Sequence, residues 1–159
     1  MSRASQLASA IERTVSGPMW HGPALTDLLD GVPHERAVAR PIAGAHSIWE
    51  IVRHVTAWAD IARRRLGGEK VDPVADEDWP PVQDDGNDAW ARAVERLGAS
   101  HRALAAATRG LQDADLDATV AGQEYSAAVM LRGVVEHGTY HGGQIALLKK
   151  ASGLGLGAS

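Results

Sequence analysis

The chain has 159 residues, 45% of them hydrophobic and 23% charged, and a formal net charge of −4. That is the profile of one globular domain long enough to bury about two-thirds of its unfolded surface. The mild acidity argues against a nucleic-acid groove, which needs clustered Lys and Arg. The apolar runs are too short to span a bilayer or to form the core of a signal peptide, so the expected setting is the cytoplasm, away from any membrane. Cysteine is absent, which excludes a disulfide, a thiolate ligand and a cysteine nucleophile. Any metal must therefore be held by nitrogen and oxygen, and any thiol must come from outside.

Ser5 to Val15 reads as a first helix with Leu7, Ala10, Ile11 and Val15 on one side. Gly17-Pro18 interrupts it, and Pro23 suits the first turn of a resumed helix carrying Leu25, Leu28 and Leu29 up to Gly31. Residues 32–45 are a connection punctuated by Pro33 and Pro41. Ser47 with Glu50 three residues later has the form of a capping box. The apolar stripe of a second helix follows, Ile51, Val55, Trp58, Ala62 and Leu66, closed by Gly67-Gly68. His54 lies on the edge of that stripe or within it.

Residues 69–88 form an acidic, proline-broken connection around Trp79-Pro80-Pro81. Its carboxylates lack the alternation and fixed glycine of a calcium loop, which leaves a solvated loop. Such a loop can also lie across one end of the bundle as a lid, with Trp79 buried beneath it. The third helix runs from about Asn87 to Arg109, with Trp90, Val94, Leu97, His101, Leu104 and Thr108 as its seam. His101 is expected to be a core histidine bonded to backbone or carboxylate rather than a ligand. After a second connection, Leu111 to Glu124, Ser126 is the N-cap of a fourth helix reaching about Ala151, with Lys149 and Lys150 in its last turn. A single domain over 1–152 and a small-residue tail over 153–159 result. Four amphipathic helices without convincing strands predict an all-α, up-down-up-down four-helix bundle with long connections between helices two and three and between three and four.

The fourth helix continues its apolar stripe of Ala127, Met130 and Val134 through His137 and His141 to Ile145 and Leu148. Two imidazoles on a core-facing stripe need partners, because a buried polar group without one costs on the order of 1–3 kcal/mol. One metal ion held between them satisfies both, as do hydrogen bonds to carboxylates or water. The residue after His137 is Gly138 rather than Glu, so the zinc-protease pattern is absent. His54 is the candidate third ligand. Its depth from the cap is roughly 10 Å, and those of His137 and His141 are roughly 16–22 Å, an offset that helix stagger absorbs if helices two and four run parallel. Three protein nitrogens with an open fourth position are the pattern of a working metal site, where bound water or a substrate thiol is acidified. Gly133, Gly138, Gly142 and Gly143 interrupt the same helix, at about 1 kcal/mol each relative to alanine. They let a neighbouring helix approach or leave room for a ligand, and dense packing alone accounts for them equally well.

Ser-Ile-Trp-Glu-Ile-Val-Arg-His at 47–54, His-Gly-Thr-Tyr-His-Gly-Gly-Gln-Ile at 137–145 and Trp-His-Gly-Pro at 20–23 resemble the DinB/YfiT-like superfamily over nearly the whole chain. (These are the damage-inducible four-helix proteins, not the polymerase that shares the name.) The resemblance implies one divalent metal ion, zinc, nickel or manganese, held by His54, His137 and His141. Relatives include S-transferases that use bacillithiol, mycothiol or glutathione, a mycothiol-dependent maleylpyruvate isomerase and metal-dependent hydrolases, some of them homodimers. The leading expectation is a metal-dependent S-transferase that activates a low-molecular-weight thiol co-substrate toward a small-molecule substrate. The alternatives are a hydrolase using metal-bound water, and a non-catalytic metal-binding or stress-response bundle. Gln144, three residues after His141, is a candidate to orient it, and Tyr140 is a candidate donor to substrate. Glu50 is a capping-box carboxylate one turn below His54 that can also reach the site. His21 and His46 flank glycine-rich connections where a pocket mouth can lie, and Trp49 and Trp58 belong to core or pocket wall.

Overall fold

Two serines set the frame on which the histidines are carried. Ser47 Oγ accepts the backbone N–H of Glu50 at 3.2 Å, while the Glu50 carboxylate accepts the Ser47 N–H at 2.7 Å, closing the expected capping box at the start of α4 (Ile48–Leu66). Ser126 caps α8 (Ala127–Ala151) in the same way through Val129 N–H. The computed structural model describes residues 1–84 and 86–154 and is all-helical over them, with no strands. The other long helices are α1 (Arg3–Val15), capped by Ser2 and so starting two residues before the expected Ser5, and α6 (Asn87–Arg109). Four short helices lie between them: α2 (Leu25–Leu29), α3 (His34–Val38), α5 (Ala75–Asp78) and α7 (Asp113–Asp117). Helices of four or five residues carry too little periodicity to be read, which is why α3, α5 and α7 fall inside segments expected to be connections. Of the expected tail, residues 155–159 lie outside the described residues.

The four long helices close a ring in which α1 and α4 each pack against both α6 and α8. Their directions differ from the expected alternation. Trp49 at the start of α4 meets Trp90 at the start of α6, with ring centroids 5.2 Å apart. Arg53 and Asp60 then face Arg92 and Arg96 in rising order, so α4 and α6 run parallel. The start of α4 (Ile48, Ile51, Val52) shares one hydrophobic cluster with the end of α8 (Ile145, Leu148). The end of α4 (Ala59, Ala62) shares the other with the start of α8 (Ala127, Ala128, Leu131). So α4 and α8 are antiparallel, and the up-down-up-down order is corrected to one in which the two central helices point the same way. The physical reason is the long connection after α4, which carries the chain back along the bundle before α6 begins.

The two hydrophobic clusters are separated by a layer of different chemistry. On α1 it falls at Thr14, between Ile11 and Val15; on α6 at Ser100 and His101, between Leu97 and Leu104. On α4 the clusters change over between Val55 and Ala59, just past His54, and on α8 the layer contains His137, Gly138, His141 and Gly142. Gly138 is there for contact: a Cβ on it would sit 2.5 Å from Thr14 Cγ2, so α1 lies directly against α8 at this level. Lys149 is 2% exposed and donates its Nζ to the Leu28 carbonyl at 2.7 Å, tying α2 to the end of α8. No helix among the described residues is long and apolar enough to cross a membrane.

Gly138→Ala should destabilise the fold by about 1–3 kcal/mol through this clash. Thr14→Ser removes Cγ2 while keeping a hydroxyl for the Ala10 carbonyl, so the double variant should recover most of the loss in urea-unfolding midpoints. No rescue would mean that the close approach is not the cause.

Candidate metal centre

With α4 and α8 antiparallel, depth is counted from their shared end. His54 lies in the second turn of α4, and His141 lies almost three turns before the end of α8. That brings the rings together. His54 Nε2 is 2.9 Å from His137 Nε2, and His141 Nε2 is 3.0 Å from the same atom. Their ring planes are steeply inclined to one another, at 60°, 74° and 81°. His54 and His141 are buried and His137 is half-buried.

The other ring nitrogens decide where the protons are. His54 Nδ1 lies 2.6 Å from the backbone carbonyl of Asp78, which only accepts, so Nδ1 carries the hydrogen and Nε2 presents a lone pair. His141 Nδ1 donates in the same way to Gln144 Oε1 at 2.6 Å, and its Nε2 also presents a lone pair. Both lone pairs are aimed at His137 Nε2, which as a neutral N–H donor satisfies only one of them. A cation at the common focus satisfies all three nitrogens. The separations are a few tenths of an ångström short of the roughly 3.3 Å between two nitrogens on one tetrahedral zinc, so a small opening of the rings admits an ion. Three imidazoles are donors suited to zinc or nickel, and the fixed outer hydrogen bonds are the support that metal-ligating histidines require. His54, His137 and His141 thus form a group that can hold a metal ion.

The acidic connection before α6 covers this centre. Trp79 stacks face to face on His54 (centroids 3.8 Å apart, 7°), and its ring is also stacked on His46 (3.6 Å, 9°). Asp78 Oδ1 accepts Trp58 Nε1 at 2.7 Å, and the Pro80 carbonyl accepts Arg53 Nε at 3.2 Å. The segment lies over the flank of α4 at mid-height, rather than over one end of the bundle. His46 serves as the outer plate of that stack. Asp78 acts chiefly through a backbone carbonyl, which no side-chain pattern announces.

The remaining candidates separate cleanly. Gln144 reaches His141, and its Nε2 donates to the Tyr140 hydroxyl at 3.2 Å. Tyr140 lies edge-on to His141 but is 65% exposed. Glu50 is held by Ser47 and by a bidentate pair with Arg40, and stays out of the centre. His21 lines a separate cavity of about 190 Å³ on the α1–α2 side of α8, with Gly138 and Gly142 in its wall. His101 is 1% exposed and donates Nδ1–H to the Leu97 carbonyl at 2.9 Å, as expected of a core histidine. Its Nε2 has no hydrogen-bond partner among the described residues.

A cavity of about 380 Å³ opens beside the centre between α4 and α8. His54 and His137 form part of its wall, and Trp58, Arg65 and Tyr125 extend it away from them. The signal for Arg65 was present in the sequence, since it continues the His54–Trp58–Ala62 face of α4 as a charge among apolar residues.

A family model described as the DinB superfamily matches residues 20–145. No curated protein and no solved structure matches the chain.

Burial holds all three imidazoles in their neutral form. It pushes His137 down to about 3, helped by the neighbouring His141 and His54, and His141 down to about 4 against the hydrogen bond it donates to Gln144. His54 is lowered by burial too, with the Asp78 carbonyl opposing. In the unfolded chain these groups titrate near 6.5. Between 6.5 and about 4 the unfolded state therefore binds more protons than the native state, and stability falls as pH falls. For metal-free protein the urea midpoint should drop steadily across that window, with a shallower drop in His137→Gln. A flat midpoint would contradict buried, neutral histidines.

Proposed function

The chain belongs to the DinB superfamily, and on that premise we propose that it is a divalent-metal-dependent enzyme that transfers a low-molecular-weight thiol to a small electrophilic molecule. The observation that carries this reading is the pair of lone pairs, fixed by the Asp78 carbonyl and by Gln144, that converge on His137 Nε2. His54, His137 and His141 would hold zinc, nickel or manganese, leaving the cavity side of the centre for the reacting partner. When bound, the ion supplies Lewis acidity that lowers the pKa of a thiol placed on it.

The chain's own residues favour a thiol over water as the nucleophile. A thiol of pKa about 8.5 needs only modest acidification, whereas hydrolysis calls for a free carboxylate or imidazole as general base. Asp78 is the carboxylate on the cavity wall, and its Oδ1 already accepts Trp58 Nε1 and faces His54 Nδ1 at 3.3 Å. Trp79, stacked on His54, keeps solvent from that ring. The chain has no cysteine, so the thiol comes from solution. Ester or amide hydrolysis is the second reading, and the position of Asp78 beside the centre is what favours it.

Elemental analysis should find one divalent metal per chain in the purified protein. His54→Ala should remove it, and His101→Leu should not. Metal-loaded protein should bind bacillithiol, mycothiol or glutathione in isothermal titration. If no thiol binds and Asp78→Asn instead abolishes ester hydrolysis, the hydrolase reading replaces this one. Equal metal loss in the His54 and His101 variants would overturn both.

A further inference from the structure

The cavity beside the histidine centre has two chemically different ends. At one end are His54 and His137; at the other, eleven residues further along α4 or roughly 16 Å along its axis, is Arg65. Arg65 is 6% exposed. Gly68, with φ +86°, turns the chain so that the Val71 carbonyl accepts Arg65 Nε at 3.3 Å and Nη2 at 2.8 Å. Arg65 Nη1 donates to the Tyr125 hydroxyl at 2.8 Å. Both acceptors are neutral. Among the described residues Arg65 has no carboxylate partner, whereas Arg3, Arg40, Arg64, Arg96 and Arg109 all find one in far more exposed positions.

That distribution runs against ordinary expectation. Surface arginines gain little from ion pairs, while a buried guanidinium without a counter-charge is the costly case. Of its five N–H groups, three are engaged and two remain. The Tyr125 hydroxyl accepts from Arg65 and keeps its own O–H to donate. Tyr125 is held in place by the Val120 N–H on its carbonyl at 3.0 Å, directly before the Ser126 cap.

Gly133 supplies an independent observation. It stands inside α8 on the cavity wall, and a Cβ built there meets nothing within 4 Å. Glycine in mid-helix is unfavourable, and no neighbouring helix requires it here. What its missing side chain leaves is room between the two ends.

We propose that this cavity takes a small anionic substrate, an apolar body carrying a carboxylate, with the carboxylate on Arg65 and the Tyr125 hydroxyl and the reacting carbon toward His54 and His137. The assignment deepens the metal-dependent reading, because the substrate it names is the one presented to that centre. Recognition of the carboxylate, however, lies at the opposite end and does not need the metal.

The test is isothermal titration of hexanoate and of hexanamide, which share a shape and differ in charge, into the full chain before and after removal of metal by a chelator. The metal-free form is decisive, since a carboxylate can also bind a metal directly. Hexanoate should bind at least about tenfold more tightly than hexanamide. Arg65→Met should erase the difference, and Gly133→Leu should weaken both probes while leaving metal content unchanged. If Arg65→Met does not fold, Tyr125→Phe decides: hexanoate should weaken several-fold with hexanamide unchanged. Equal binding of the two probes, no binding of either, a preference that survives Arg65→Met, or hexanoate unaffected in Tyr125→Phe would overturn the proposal. A normal metal content alongside any of these confines the failure to the anion site. A missing metal with the preference intact sinks the metal-dependent reading and leaves the anion site standing.

Discussion

Three imidazole nitrogens face one another across 2.9 and 3.0 Å in the middle of a helical bundle, and two of them are obliged to offer lone pairs because their outer nitrogens donate elsewhere. The single N–H of a neutral His137 satisfies one of those lone pairs, and burial removes the water that would satisfy the other. Protonation is not an escape at neutral pH, because the same burial holds the rings neutral. Much of the surrounding architecture serves to hold this arrangement in place. The Asp78 carbonyl and Gln144 fix the outer nitrogens, Trp79 lies on the His54 ring, and hydrophobic clusters above and below the layer clamp the helices that carry them.

The histidine cluster was legible in the sequence because helical periodicity is local. Residues 137 and 141 follow Met130 and Val134 at the spacing of a buried stripe, and His54 stands one turn from Ile51 and Trp58. Helix ends were legible for the same reason: Ser47, Ser126 and Gly67 mark boundaries through hydrogen bonds a few residues long. Helix direction was not. Whether α6 runs with α4 or against it depends on the route of the intervening connection, and nothing in a stripe of apolar residues encodes that. The convergence of the histidines was anticipated with helices two and four parallel. They converge although α4 and α8 are antiparallel, because all three lie within about four turns of the end the two helices share.

What the sequence concealed most fully is chemistry carried by backbone. The acceptors for His54 and Arg65 are the carbonyls of Asp78 and Val71, and any residue type supplies a carbonyl. The glycines of α8, read together as one feature, divide by position. Gly138 admits Thr14 of α1, Gly142 sits in ordinary contact with Leu25 and Leu28, and Gly133 borders open space. A helix interrupted by glycine is thus recording several different neighbours, and only coordinates tell them apart.

Because α4 and α6 point the same way, the chain leaving Leu66 must retrace the length of a 19-residue helix, about 28 Å, before Asn87 can begin. A tight turn cannot make that crossing. The intervening residues are a strap with both ends fixed at opposite poles of the molecule, and its middle passes the histidine layer by geometric necessity. Trp79 and Asp78 sit at that midpoint. Lengthening the strap would slacken its grip on the His54 ring, and shortening it would draw the two poles together, so its span couples the overall height of the bundle to the enclosure of a single imidazole.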